Sequence, residues 1–178
     1  IRDSFYVEPL IGVKGEITNK ITANIRGGYR HQRYKTADLV IKDNFKSPVV
    51  RGGIDFQATK DDLVSLNLER SSYESTYKNI NHYEGTSGTL AYRHNFTDKL
   101  SIAPYGTYNY SAYPKATIED GLTRKRRDKL YGGGISLKYI MQDWISFEAK
   151  YDYREKDSNF NKFDYKDNAF TISTTVGF

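Results

Sequence analysis

Apolar and polar residues alternate one for one along most of this chain, and a period of two belongs to strands with one apolar and one polar face. Ile145, Phe147, Ala149, Tyr151 and Tyr153 stand against Ser146, Glu148, Lys150, Asp152 and Arg154. Ile21, Ala23, Ile25, Gly27 and Tyr29 oppose Thr22, Asn24, Arg26, Gly28 and Arg30 in the same way. The pattern predicts about nine strands, over Ser4–Lys14, Lys20–Tyr34, Pro48–Thr59, Leu63–Tyr73, Tyr83–Phe96, Lys99–Tyr113, Asp128–Ile140, Trp144–Arg154 and Asn168–Phe178.

The connections alternate as well. Short links at Gly15–Asn19, Lys60–Asp62, Thr97–Asp98 and Met141–Asp143 are interleaved with longer polar segments at Lys35–Lys46, Glu74–His82, Pro114–Arg127 and Glu155–Tyr165. Tight periplasmic turns and longer extracellular loops are the asymmetry of an outer-membrane β-barrel, so the expected fold is an all-β, antiparallel transmembrane barrel in the bacterial outer membrane.

On the polar face lie Arg26, Arg30, Arg51, Arg93, Lys138, Lys150 and Arg154, together with Glu8, Asp55, Glu69, Glu148 and Asp152. In a dry core each unpaired ion would cost several kcal/mol. The face is therefore expected to be wet, as a lumen wall or as the outside of a soluble sandwich. Alternation alone does not separate these two architectures; the loop asymmetry and the end of the chain favour the barrel. The basic residues could form a ladder guiding anionic solute, and the acidic ones argue equally for cross-strand ion pairs that stiffen the wall.

On the apolar face, Tyr29, Tyr92, Tyr108, Tyr110, Tyr131, Tyr139, Trp144, Tyr151 and Tyr153 gather toward strand ends. This is the placement of an interfacial aromatic girdle, although ordinary strand propensity also favours tyrosine.

Composition narrows the alternatives. No apolar run approaches the roughly 20 residues of a membrane-spanning helix. A mean hydropathy of −0.72 still suits a membrane barrel, because its lumen-facing half is polar. The chain has no Cys, which removes disulfides, thiolate metal sites and thiol nucleophiles. A net charge of +5 is too small to indicate nucleic acid.

In the last strand Phe170, Ile172, Thr174, Val176 and Phe178 share one side. Phe170, Ile172, Val176 and Phe178 resemble the C-terminal signal of bacterial outer-membrane barrels, which the barrel-insertion machinery reads; Ser173 stands where that signal usually has Gly. With Phe178 in the periplasm and an odd strand count, the first strand would start outside. Single-chain bacterial barrels have even strand numbers and normally both ends in the periplasm. Residues 1–178 are thus expected to be one domain, the C-terminal part of a larger barrel whose other strands lie upstream or on another chain. A complete eight-stranded barrel with one strand that does not span is the alternative.

Several segments resemble a known family. They are Gly12–Ala23 followed by Gly28-Tyr29-Arg30, Glu69-Arg70 at a strand end, Tyr151–Ser158, and Asp164–Asn168 leading into the last strand. Together they are similar to members of the "Putative beta-barrel porin type 2" family. The resemblance implies a large outer-membrane barrel often encoded beside exopolysaccharide synthesis and export systems and acting in polymer passage. It supplies no catalytic residues.

Nothing selects an active site or a cofactor. His31, His82 and His94 fall on different segments, without metal-ligand spacing or a partner carboxylate cluster. The run Arg124-Lys125-Arg126-Arg127, expected in an extracellular loop, could meet lipopolysaccharide phosphates or an acidic polymer, or simply be solvated. The function expected first is a pore or export-channel wall for hydrophilic, anionic or polysaccharide material. The alternative is a structural anchor or scaffold with a plugged lumen that binds a partner protein, and an enzyme comes third. Expected partners are outer-membrane lipid and lipopolysaccharide, the insertion machinery and other barrel or export subunits, with no nucleic acid.

Overall fold

The computed structural model describes residues 4–34, 44–75, 77, 80–119 and 121–177. These form ten strands: β1 (Ser4–Val7), β2 (Leu10–Thr18), β3 (Ile21–Tyr34), β4 (Phe45–Gln57), β5 (Asp62–Glu74), β6 (His82–Asn95), β7 (Leu100–Glu119), β8 (Leu122–Gln142), β9 (Ile145–Ser158) and β10 (Tyr165–Val176), with a 3-10 turn at Asn161–Phe163. All lie in one antiparallel sheet in which neighbours in sequence are neighbours in space, from β1 and β2 on β3 through to β10. The sheet is open, with β1/β2 at one edge and β10 at the other.

β1 and β2 are one strand with a break. Their partners on β3 continue a single register, with Ser4 opposite Tyr34, Val7 opposite His31 and Leu10 opposite Gly28. The interruption falls at Glu8–Pro9, where proline has no N–H to give the ladder. The first expected strand is therefore two elements in one of nine positions.

The expected long loop Pro114–Arg127 is a correction. β7 runs to Glu119 and β8 begins at Leu122, with Thr117 opposite Arg124 and Glu119 opposite Leu122. Pro114 disturbs the ladder between Ala112 and Ala116 without ending the strand. Glu119 pairs with Leu122, and Gly121 has a φ of 76°, the left-handed region that a tight hairpin favours in glycine. Hence Arg124, Lys125, Arg126 and Arg127 belong to β8, not to a loop. β9 also continues to Ser158, which shortens the connection expected over Glu155–Tyr165. Phe178 and most of the Lys35–Lys46 connection lie outside the described residues.

Three of the short turns share one device. The hydroxyl of Thr18 accepts from the N–H of Lys20 and Ile21 at 3.2 and 3.1 Å, and that of Thr97 from Lys99 and Leu100 at 3.2 and 3.1 Å. Thr59 accepts from Asp61 N–H at 3.2 Å. Such side-chain turns satisfy backbone donors that the ladder leaves behind.

The two faces differ in what covers them. Only five apolar side chains are buried among the described residues, whereas 29 large ones are exposed, so the sheet does not fold an apolar face into a core of its own. Ile11, Ile172 and Phe170 are 83–85% exposed, all on the outward, apolar side. A soluble sandwich would seal these residues between two sheets, and the strands of the described residues form one. Contacts that skip a strand come from the polar face: Arg51 on β4 reaches Glu8 beyond β3, and Tyr105 on β7 reaches Asp152 on β9. The sheet thus curls toward its charged side.

Candidate functional site: the polar face and its cap

The residues of the expected polar set share that face by register. Four join at one end of it. Glu8 takes Arg30 at 2.6 Å on one oxygen and Arg51 at 2.7 Å on the other, and Arg51 also bonds Glu69 at 3.0 Å. Tyr73 donates its hydroxyl to Glu69 at 3.1 Å, and Arg30 lies 4.5 Å over the Tyr6 ring. The register that β1 and β2 share sets Glu8 opposite Arg30 on the inward face, within reach of Arg51 on the next strand. Farther along, Lys150 pairs with Asp152 at 3.0 Å and Arg154 with Asp167 at 2.5 Å; alternation within β10 also places Asp167 on this face. Asp55 accepts from Ser65 at 2.5 Å. Arg26, Arg93, Lys138 and Glu148 stand on the same face and form no ion pair with a described residue.

At the end away from the short turns, connections fold inward and build a cap. Its centre is Arg126, 5% exposed, and Asp128, 3% exposed. They are two residues apart on β8 and so point the same way. Arg126 Nε and Nη2 donate to Asp128 at 2.9 and 2.7 Å, Ser158 Oγ donates at 2.7 Å, and Lys156 Nζ is 3.0 Å away. The guanidinium lies 3.6 Å from the Phe163 ring centroid and 4.8 Å from those of Tyr77 and Tyr113, so aromatic faces shield the ion pair from water. Asn159 fastens the β9–β10 connection to β8, donating to Lys125 O and accepting from Arg127 N–H, each at 2.8 Å. Phe160, 1% exposed, packs under Arg124 at 4.7 Å. Glu119 meets Lys162 and the Tyr77 hydroxyl. Burial pushes the Asp128 carboxyl up, but the hydrogen bonds from Arg126, Ser158 and Lys156 outweigh it and hold the group below the usual carboxylate range.

Of the basic run, therefore, Arg126 points inward and is paired, while Lys125 and Arg127 are exposed. Asp128, Ser158, Phe160 and Phe163 were not expected at a site. The signal in the sequence is the Asp-Gly dipeptide at 120–121, a hairpin-turn pair that allows the strands to run on past Pro114.

Just below the cap the polar face holds a cavity of about 350 Å³. Tyr73, Tyr83 and Tyr113 form a stacked row along one side, with centroids 5.5 and 5.2 Å apart. Gly85 makes room for it: a Cβ there would lie 2.7 Å from the Tyr73 ring. Ser87, Asn109 and Ser111 line the rest with Lys156.

The aromatic residues of the other face lie at two levels. Tyr92, Tyr139 and Trp144 are near the short turns; Tyr29, Tyr108, Tyr110, Tyr131, Tyr151 and Tyr153 are nearer the cap. Tyr108 packs on Tyr131 at 5.3 Å and Tyr151 on Phe170 at 4.7 Å. Phe170, Ile172 and Val176 project outward from β10. At the short-turn rim, below the apolar band, Asp62 takes the Thr59 hydroxyl, the Tyr92 hydroxyl at 2.5 Å and His94 Nδ1 at 2.7 Å, which brings its carboxyl down to about 2. No group of three or more potential metal ligands occurs among the described residues.

The model of the family described as "Putative beta-barrel porin 2" matches residues 1–178. Three solved structures of OmpT, an outer membrane protein of Vibrio cholerae, are similar in fold. Its loop L8 deletion mutant superimposes with a TM-score of 0.60 at 13% identity, over 97% of this chain and 53% of that one. OmpT folded in vitro gives 0.59 at 12% identity, over 97% and 55%. OmpT expressed in the outer membrane gives 0.56 at 14%, over 97% and 56%. The chain thus spans little more than half the length of these structures. No curated protein matches it in sequence.

Proposed function

This chain belongs to the family described as "Putative beta-barrel porin 2" and forms β-barrel wall in the bacterial outer membrane; from that premise we propose that its polar face lines a water-filled pore for hydrophilic solutes. The observation that carries the reading is the division of the sheet, with ions and amides on the inward-curling side and bare aliphatic and aromatic side chains on the other. Only a barrel with a wet interior gives both sides a suitable medium. In this reading the short turns are periplasmic and the cap is extracellular. The open edges at β1/β2 and β10 are met by strands outside these residues or on another chain, in keeping with neighbours of nearly twice the length.

For solute class we favour uncharged or weakly anionic saccharides. Most charges on the polar face are neutralised by one another, which leaves little net field to sort ions. The cavity beneath the cap offers tyrosine rings beside the hydroxyls of Ser87 and Ser111 and the amide of Asn109, a mixture suited to sugar C–H and O–H groups. Export of a polysaccharide is the most specific form of this proposal.

Planar-bilayer recording of the full-length protein tests the pore. Stepwise conductance is expected, reduced by oligosaccharide added on the extracellular side. Absence of current in any salt would favour a second reading, in which the buried Arg126–Asp128 cap plugs the lumen and the barrel serves as anchor or scaffold for a partner.

A further inference from the structure

We propose that the outward surface where β1, β3 and β4 meet, at the capped end, binds the phosphate of a membrane lipid headgroup. On β3, Tyr29, His31 and Arg33 point outward in turn. β1 sets Val7 opposite His31 and Phe5 opposite Arg33. On the other flank, Pro48 of β4 is opposite Tyr29 and Lys46 is opposite His31. The apolar band therefore gives way to cations at one level, the level of headgroups.

Three features single out this surface. Phe5, Val7, Pro9 and Tyr29 line a hollow of about 610 Å³ beside the cations, a seat for an acyl chain. Arg33 Nε donates to His31 Nε2 at 3.3 Å, so the ring acts as an acceptor that positions the guanidinium. Arg33 and Lys46 are exposed and form no ion pair with a described carboxylate. Two other outward cations near this rim are already committed: Arg70 pairs with Glu84 at 2.9 Å and Lys166 with Glu155 at 3.1 Å. A guanidinium beside an ammonium suits phosphate, and the hollow suits a ligand that is also a lipid. A soluble anion would leave the hollow unused, and an uncharged lipid would leave the cations unanswered.

The inference needs the outward face to meet lipid and does not depend on conduction. Native mass spectrometry of the full-length protein in detergent tests it, with diphosphorylated lipid A as the probe. Retention of the probe is expected, weakened about fivefold by Arg33→Gln or Lys46→Gln and about 25-fold by both, as for cations acting at a membrane surface. Arg70→Gln serves as the control and is expected to leave retention unchanged. Circular dichroism of the double variant should match the parent, which separates lost binding from lost folding. Equal retention of dephosphorylated lipid A, unaltered affinity in the double variant, or full competition by inorganic phosphate at matched concentration would overturn the proposal.

Discussion

Tyr105 donates its hydroxyl to Asp152 across an intervening strand, directly above Gly134. The contact exists because Gly134 has no side chain: a Cβ there would lie 2.7 Å from the Tyr105 ring and 2.7 Å from the Asp152 carboxylate. A glycine on the inward face thus lets flanking strands bond over it and draws the sheet into a curve.

Gly134→Ala should therefore cost about 1–3 kcal/mol, the usual range for overpacking. Gly106→Ala, on the outward face with nothing within 4 Å of its Cβ, should fall within about 0.5 kcal/mol of the parent. Reversible urea unfolding in lipid vesicles measures both; equal effects would mean that the space above Gly134 is not used.

Asp128→Ala would leave Arg126 buried without its counter-ion, a change that costs about 3–5 kcal/mol when a desolvated pair is broken. The loss should be local. Hydrogen exchange is expected to accelerate over residues 159–164, while the hairpin turn at Thr97 keeps the parent's protection.

The same pair gives a pH dependence of definite sign. The Asp128 carboxyl is held below its ordinary range in the folded cap, so its contribution is fully present above that range and is lost as pH falls through the lowered value. Protection over residues 159–164 should be flat through neutral pH and decline only below about pH 4. Asp62, at the opposite rim, is held at about 2 and should keep its charge to lower pH still. Thr59→Val removes the first of the bonds that lower it, and a carbon NMR titration should then place Asp62 nearer the ordinary aspartate value.

Much of this arrangement is legible in the sequence, for a physical reason. Strand side chains alternate strictly, so assigning Ile145 to one face assigns Glu148, Lys150 and Asp152 to the other without further information. The cap is different. Its aromatic wall comes from Tyr77, Tyr113 and Phe163, on three separated segments, and no local pattern records that they converge on Arg126. Pro114 and the density of charge in Arg124-Lys125-Arg126-Arg127 also imitate a solvated loop, although pairing carries the hairpin past both. Pro9 misleads in the opposite sense, since a strand that reads as continuous is interrupted there although its register carries on.

The central claim is that hydrocarbon touches one side of every strand and water the other. Residues 1–178 contain no cysteine, so single nitroxide labels can be placed among them at adjacent positions by Ile172→Cys and Thr171→Cys, in the full-length protein in bilayers with any cysteine elsewhere replaced by serine. The label at 172 should be relaxed strongly by oxygen and weakly by a water-soluble nickel chelate, and the label at 171 the reverse. Equal accessibility to the chelate at both positions, or the opposite order, would contradict the account.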